Sequence, residues 1–203
     1  MGPYYITDLI SLIGPIKRVT AFTGKAREAR EVTTEGSPFK GTMIKVNTPT
    51  TVHAILEFYN GAIVTLGASW DVASHGHHNI ELYGTEGSVY VPDPNFFNGD
   101  VTITNRAGDK EKVTPWDHPF GKANQDLDKP NPRANYRNAG LSDMMDSIET
   151  GKKARCDLDV ALHAVDVMTS ILRAGETGQV ITLQTTCERP AALGIEEARA
   201  LLR

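Results

Sequence analysis

Histidines and a carboxylate in the first half of the chain have the residue types of a catalytic or metal-binding site. The densest group of metal-ligand side chains is His75, His77 and His78. On an extended segment His75 and His77 would share a face, and a zinc ion would need a further ligand such as Asp71 or His53. Spacing alone is weak evidence for metal binding, and histidines are common in loops, so we expect no metal site. Asp71 and His75, at the end of a predicted strand, remain candidates for substrate binding.

A second group of candidates lies at the end of a long, proline-rich segment. Residues 115–138 show no periodicity, and a loop of this length is usually functional or disordered. Tyr136 and Arg137 come at its end, directly before Asn138, which is a favourable N-cap for a helix. Because helix N-termini attract anions, Tyr136 and Arg137 are candidates for binding an anionic or polyol substrate. The same pattern also fits a structural role alone, in which the arginine is solvated and the tyrosine packs against neighbouring side chains.

The first nineteen residues predict a helix with two different faces. Apolar residues recur at i, i+3, i+4 and i+7, and Gly14-Pro15 ends the pattern. The opposite stripe is polar and consists of Tyr4, Thr7, Asp8 and Ser11. Such a stripe is typical of a solvated face, but a tyrosine on an otherwise apolar helix favours a cleft or the contact with a second domain.

Composition excludes several classes of function. The 203 residues carry a net charge of −4 and are 40% hydrophobic, and no basic patch indicates nucleic-acid binding. No apolar run approaches the length of about 18 residues that predicts a membrane span, and the N-terminal apolar stretch lacks the basic leader of a signal peptide. Two isolated cysteines, Cys156 and Cys187, suit a reducing cytoplasm.

The order of predicted elements indicates an α+β fold in one domain spanning residues 1–203. A strand at 16–24 follows the first helix, and residues 25–41 have the pattern of a strand tail and a loop. Asn60-Gly61 predicts a tight hairpin between strands 50–59 and 62–71. Further predicted strands cover 78–83, 88–91, the two sides of a turn at 107–109, and 180–183. Helices are predicted from Asn138 to Gly151, from Asp157 or Asp159 to Gly175 or Gly178, and at 196–202. Clustered strands and clustered helices favour α+β over alternating α/β, with a mainly antiparallel sheet.

Several segments together resemble the second domain of the Gfo/Idh/MocA oxidoreductases. In that family a D-x-G-x-H-x-x-D pattern precedes an apolar helix ending in L-x-G, and MGPYYITDLISLIG is similar to it without the leading Asp. FYNGAIVTLGASWDVASH, IELYGTEGSVYVPDPN and TCERPA are similar to later family segments. The resemblance implies an α+β domain with a large, mostly antiparallel open sheet and helices on one face, as in the C-terminal domain of glyceraldehyde-3-phosphate dehydrogenase.

The resemblance also implies a function and a set of site residues. It suggests the substrate-binding and oligomerisation domain of an NAD- or NADP-dependent oxidoreductase acting on a sugar, a polyol or a related hydroxyl or carbonyl compound. The family's catalytic His falls on Tyr4 and its Asp on Thr7, so these are the candidate catalytic residues. A tyrosine can donate a proton or hydrogen-bond a substrate hydroxyl, although a free phenol is a poor base near neutral pH.

The same resemblance defines the expected partners. The Rossmann domain, with its dinucleotide fingerprint and catalytic lysine, is absent from these 203 residues, so we expect this chain alone to bind no nicotinamide cofactor and to be inactive. We expect a homodimer or tetramer formed through the exposed face of the sheet. One alternative is a stand-alone, non-catalytic binding or assembly module with the same fold. A metal-dependent enzyme built on the three clustered histidines is a third interpretation.

Overall fold

The computed structural model describes residues 2–113 and 117–202. Met1 and the first two residues of the predicted loop 115–138 lie outside the described residues. The chain divides into two compact units. The first comprises Met1–Leu12, Gly76–Ala161 and Glu188–Arg203, and the second comprises Ile13–His75 and Leu162–Cys187.

The first unit begins with helix α1, Gly2–Ile13. Its buried face consists of Ile6, Leu9 and Ile10, which are three of the four apolar positions that the sequence predicts; the fourth, Ile13, is only partly buried. The helix ends where Gly14 adopts a φ of +119°, a conformation that only glycine reaches without strain. The polar stripe of α1 is therefore held in a defined orientation by the burial of the opposite face.

A four-stranded antiparallel meander forms the sheet of the first unit. Its strands are β6 (Ile80–Tyr83), β7 (Gly87–Val91), β8 (Thr102–Asn105) and β9 (Lys110–Lys112), and they pair in chain order. Gly87 lies so close to β8 that an added Cβ would be 2.3 Å from the Thr104 carbonyl oxygen. The meander predicted from turn residues is confirmed.

The rest of the first unit contains the long loop and two helices. A single 3-10 turn, Pro119–Gly121, buries Phe120. Helix α2 covers Ala139–Thr150 and ends at a left-handed Gly151, whereas its predicted N-cap, Asn138, makes no side-chain capping bond. The expected apolar face of α2 is exposed along the helix, and no residue of α2 is buried. Helix α4, Ile195–Leu201, closes the unit.

The second unit is built on a four-stranded antiparallel sheet with the order β10-β1-β4-β5. The strands are β1 (Ile16–Gly24), β4 (Thr51–Phe58), β5 (Ile63–Ser69) and β10 (Ile181–Thr182). Alternate residues on one face are buried, including Val19, Ala54 and Leu56. Asn60-Gly61 makes the predicted hairpin turn, with Gly61 at a φ of +88°.

The structure contains a short antiparallel hairpin, β2 (Ala29–Glu31) with β3 (Met43–Lys45), that the sequence does not predict. Strand β2 lies within the predicted strand tail and loop at 25–41, and β3 follows just after that segment. All three residues of β3 are exposed, so no alternation of buried and exposed side chains marks it in the sequence. Helix α3, Leu158–Thr177, runs from the first unit into the second.

In the second unit, α3 carries a fully buried histidine, His163. Its Nε2 accepts a hydrogen bond from the Ile16 backbone N–H at 3.0 Å, and its Nδ1 lies 2.9 Å from Thr185 Oγ1. The Thr185 hydroxyl in turn donates to Asp166 at 2.8 Å. Because Nε2 accepts the hydrogen bond from Ile16, it carries no proton and the imidazole ring is neutral. The same hydrogen bond links α3 to β1.

The α+β class with antiparallel pairing is confirmed. Within residues 2–113 and 117–202 the strands form three sheets, of four, two and four strands, instead of the one large sheet that the resemblance implies. The single domain spanning residues 1–203 stays a prediction. No helix in residues 2–113 or 117–202 combines the length and apolarity needed to cross a bilayer.

Candidate functional site

The first unit brings together two of the predicted site residues, Tyr4 and Arg137. Tyr4 lies in the first turn of α1 and is 43% exposed. The guanidinium carbon of Arg137 lies 5.2 Å from the centre of the Tyr4 ring and 5.9 Å from the centre of the Phe96 ring. These distances are within the range of cation–π attraction, so Arg137 is held beside Tyr4 by aromatic faces.

A hydrogen bond fixes the edge of the same guanidinium. Arg137 Nη2 donates to Asn95 Oδ1 at 2.8 Å, and the Asn95 backbone N–H donates to Asp93 Oδ1 at 2.9 Å. Within the described residues no carboxylate forms an ion pair with Arg137. The guanidinium is thus positioned by a neutral amide and keeps most of its donors and its full charge.

Tyr5 joins this cluster, and the sequence reasoning missed it. Its hydroxyl donates to Asp93 Oδ1 at 3.2 Å and accepts a hydrogen bond from Asn79 Nδ2 at 2.8 Å. Burial and the Asp93 carboxylate raise the pKa of Tyr5 above its ordinary value, although the bond from Asn79 acts in the opposite direction. Asp93 and Asn79 lie far from Tyr5 in the chain, so the sequence around Tyr5 carries no signal that would have revealed this hydrogen-bond network.

Asp8, in the polar stripe of α1, has an unusual environment for a carboxylate. Burial raises its pKa from 3.8 to about 6, and its buried Oδ2 has no hydrogen-bond partner. A buried carboxylate without partners is unstable relative to its protonated form. Asp8 therefore titrates close to neutral pH and is a further candidate for proton exchange, which the sequence reasoning noted only as part of the stripe.

The hydroxyl groups of two other predicted site residues donate hydrogen bonds to backbone carbonyl oxygens. The Thr7 hydroxyl donates to the Pro3 carbonyl oxygen at 2.7 Å, which leaves only its lone pairs for a ligand. The Tyr136 hydroxyl donates to the Lys122 carbonyl oxygen at 2.9 Å, and its ring packs against Phe120 with 5.1 Å between ring centres. Tyr136 therefore presents a fixed aromatic surface rather than a free hydroxyl.

A cavity of about 430 Å³ lies next to Arg137. Its wall includes Phe120, Tyr136 and Arg137 together with the amide side chains of Asn124 and Asn135. Aromatic faces combined with amides and a guanidinium offer both apolar contact and hydrogen bonding, which is the combination that small polar ligands require. Arg137 connects this cavity with Tyr4.

Asp71 and His75 belong to the second unit. Asp71 accepts hydrogen bonds from the hydroxyls of Thr50 at 2.5 Å and Thr51 at 2.9 Å, and it pairs with Arg30 at 2.5 Å. The bond from Thr50 is the main cause of its lowered pKa. These contacts tie the end of β5 to β4. His75 is exposed in the loop that follows, and in the described part of the chain no three His, Cys, Asp or Glu side chains are arranged to hold a metal ion.

The comparison with protein families gives one match. Residues 1–90 match the GFO/IDH/MocA C-terminal domain, a stretch that includes α1 and its polar stripe. No curated protein matches the chain.

Solved structures show the same fold. Levoglucosan dehydrogenase, in its apo form, superposes with a TM-score of 0.67 at 15% identity over 92% of this chain and 51% of that chain. Aldose-aldose oxidoreductase from Caulobacter crescentus gives 0.60 at 18% identity over 90% of this chain and 46% of its own. An NAD binding oxidoreductase from Klebsiella pneumoniae gives 0.63 at 18% identity, with 90% and 49% covered.

This chain spans about half the length of the solved structures that it matches. Identities of 15–18% establish the fold and leave substrate and partners open. The resemblance predicted from the sequence is confirmed: residues 1–90 match the C-terminal domain of the GFO/IDH/MocA family, and the chain has the α+β fold of oxidoreductases such as levoglucosan dehydrogenase.

Proposed function

We propose that the chain is the substrate-binding and oligomerisation domain of a nicotinamide-dependent oxidoreductase that acts on a sugar, a polyol or a related hydroxyl or carbonyl compound. The observation that carries the proposal is that Arg137 lies beside Tyr4. Tyr4 is on α1, within the segment that matches the family's C-terminal domain. A levoglucosan dehydrogenase of the same fold has been solved with NADH and L-sorbose, which supports a sugar-like ligand.

In this proposal Tyr4 is the residue closest to the chemistry. Its half-exposed hydroxyl would hydrogen-bond the hydroxyl or carbonyl oxygen that gains or loses hydride, and would exchange a proton with it. Arg137 supplies fixed positive charge beside the position where negative charge develops on that oxygen. Thr7 contributes an acceptor and Tyr136 an aromatic surface. The sequence also predicts Asp71 and His75 for substrate binding; both belong to the second unit, and their role stays a prediction.

The nicotinamide cofactor would come from a separate nucleotide-binding domain. The 203 residues contain no G-x-G-x-x-G after a strand, so the chain has no cradle for the pyrophosphate, and we assign none of its residues to NAD or NADP. When bound by such a domain, the cofactor supplies hydride transfer. The residues of this chain bind and orient the substrate and handle the proton.

Association through a sheet face is the second part of the proposal. The outer face of the second unit's sheet carries three exposed apolar residues, Phe22 at 84%, Ile55 at 49% and Ile63 at 72% exposure. The strand register places them on the same face. An exposed apolar patch of this kind favours burial against another protein, and we commit to a second copy of the same chain.

The catalytic part is tested on the complete translation product of the gene that encodes this chain. Oxidation of sugars and polyols is followed through the absorbance of the reduced nicotinamide, with NAD and with NADP. Tyr4→Phe should lower kcat by about 100-fold or more, whereas the exposed Tyr83→Phe should leave it unchanged. Absence of hydride transfer with every substrate class, or equal kcat for Tyr4→Phe and wild type, would refute the catalytic role.

The association part is tested by light scattering coupled to gel filtration. We expect a dimer or tetramer that dissociates when Ile63 is replaced by lysine, because a charge cannot be buried unpaired in an apolar interface. Tyr83→Lys is the matched control, because it introduces the same charge at a similarly exposed apolar residue of the first unit (71% exposed, against 72% for Ile63). A monomeric wild type, or an unchanged mass for Ile63→Lys, contradicts this surface.

A further inference from the structure

Arg137 differs from Arg155, another arginine that the first unit holds in place. Arg155 lines another cavity, of about 460 Å³, but its guanidinium is paired with Asp143 at 2.6 Å and with Glu197 at 2.6 Å. Arg137 is also held in a defined position, yet within residues 2–113 and 117–202 it contacts the Asn95 amide oxygen and two ring faces and pairs with no carboxylate. A positioned guanidinium with no counter-charge is suited to a ligand that brings one.

The cavity beside Arg137 also presents an amide group. The Asn138 side chain lines the cavity and makes no capping bond to α2. The amides of Asn124 and Asn135 are engaged, since Asn124 Nδ2 donates to the Asn135 carbonyl oxygen at 3.2 Å and Asn135 Nδ2 donates to Gln125 at 2.6 Å. Asn138 is therefore the amide that can donate a hydrogen bond to a ligand hydroxyl and accept one from it.

The remaining wall is aromatic. Phe120 is 2% exposed and packs on Tyr136, whose hydroxyl is engaged by the Lys122 carbonyl. Phe120 lies behind Tyr136, and the partly exposed Tyr136 ring offers an aromatic face of fixed orientation against which the C–H face of a polyol can pack. An amide, an aromatic face and an unpaired guanidinium therefore meet in one place within the first unit.

We propose that this cavity binds a polyol that carries a carboxylate, such as a sugar acid, with the carboxylate on Arg137 and a hydroxyl on Asn138. The planar guanidinium matches a carboxylate with two parallel hydrogen bonds, whereas a neutral sugar leaves its charge uncompensated. The inference rests on the proposed function, because it specifies the substrate class of the site around Tyr4. It places the substrate's acidic group next to the reacting end and its hydroxyls in the cavity.

The test compares matched pairs of ligands by isothermal titration calorimetry on the 203-residue chain. The pairs are gluconate with glucitol and glucuronate with glucose, and sulfate serves as a simple anion. We expect each acid to bind at least about tenfold more tightly than its neutral partner. Sulfate should bind more weakly than either acid, because it cannot use the amide or the aromatic face.

Three variants assign the preference to Arg137. Arg137→Gln should remove the preference for acids while leaving the neutral partner within about twofold, and Arg137→Lys should lose most of it because the ammonium lacks the planar fork. Arg106→Gln removes the same charge from another exposed position of the first unit and should change nothing. Circular dichroism of each variant verifies that the fold is retained.

Several outcomes overturn the inference. They are equal affinity for acid and neutral partner, no binding of any of the four compounds, a preference that survives Arg137→Gln, and sulfate binding as tight as gluconate. Tight binding of the neutral partners alone would leave the proposed function standing. Arg137-dependent binding of acids by a gene product that transfers no hydride would support the inference and refute the proposed function.

Discussion

Replacing Asp8 by asparagine should stabilise the protein at neutral pH. The carboxyl group of Asp8 has a pKa raised to about 6 by burial, and its Oδ2 is buried without a hydrogen-bond partner. At pH 7 the folded chain therefore keeps a carboxylate in an environment that favours the neutral acid. Asparagine has nearly the same shape and no charge, so Asp8→Asn removes this cost.

The size of the effect follows from the pKa shift. A rise from 3.8 to about 6 is about 2 units, or about 3 kcal/mol at 1.36 kcal/mol per unit. Because Asp8 is only half-buried, solvent screens part of this energy, and we expect about 1–2 kcal/mol. For a chain of this length that gain raises Tm by about 2–8 °C.

The pH dependence of the gain has a definite sign. A pKa that is higher in the folded than in the unfolded state means that the folded state binds more protons between about pH 4 and pH 6. The stability of the wild type relative to Asp8→Asn should therefore fall as pH rises through this window. Near pH 4 the two proteins should be similar, and above pH 6 the full difference should be present.

Urea denaturation at pH 4, 5, 6 and 7 measures this difference directly. The exposed Asp146→Asn, on α2, is the control for the loss of one carboxylate from the first unit. A variant that is less stable than wild type at pH 7, or a difference that is the same at every pH, would refute the buried-carboxylate reasoning. A functional role for Asp8 would explain why the polar stripe contains a carboxylate that destabilises the fold.

Four further predictions concern the second unit. His163→Ala should cost about 3–5 kcal/mol in urea denaturation, since it opens a cavity and orphans a backbone N–H, whereas its half-exposed neighbour Leu162→Ala should cost much less. Burial also lowers the pKa of His163, so wild-type stability should fall as pH drops below about 6.5, and a flat profile would contradict this. Gly175→Ala should destabilise the fold despite the helical preference for alanine, because the new Cβ would lie 2.3 Å from Thr23 Cγ2. Adding Thr23→Ala to this variant should recover part of the lost stability. If the free-energy changes of the two substitutions simply add, the clash is refuted. Asp71→Asn should increase hydrogen exchange at the end of β5, and unchanged exchange there would show that its three side-chain contacts do not hold that end.

Local patterns explain how much of the fold was predictable. The apolar positions of α1, the Asn60-Gly61 hairpin and the meander of the first unit are encoded by residues close together in the chain, so their types and approximate ends follow from periodicity and turn chemistry. The β2–β3 hairpin was missed because β3 is exposed throughout and shows no alternation. Asn138 has a good N-cap side chain, yet its backbone is already helical, with φ −84° and ψ −2°, and the side chain makes no cap.

The site was predictable only as separate residues. The sequence alone, with the family pattern, identified Tyr4 and the polar stripe of α1, and it marked Arg137 by its position before a helix. The tertiary structure decided that Arg137 stacks on Tyr4, that Tyr5 is held by Asn79 and Asp93, and that Asp8 is left without a partner. The physical reason is that periodicity reports which face of an element is buried, whereas hydrogen bonds and ring contacts between distant segments depend on how those segments pack.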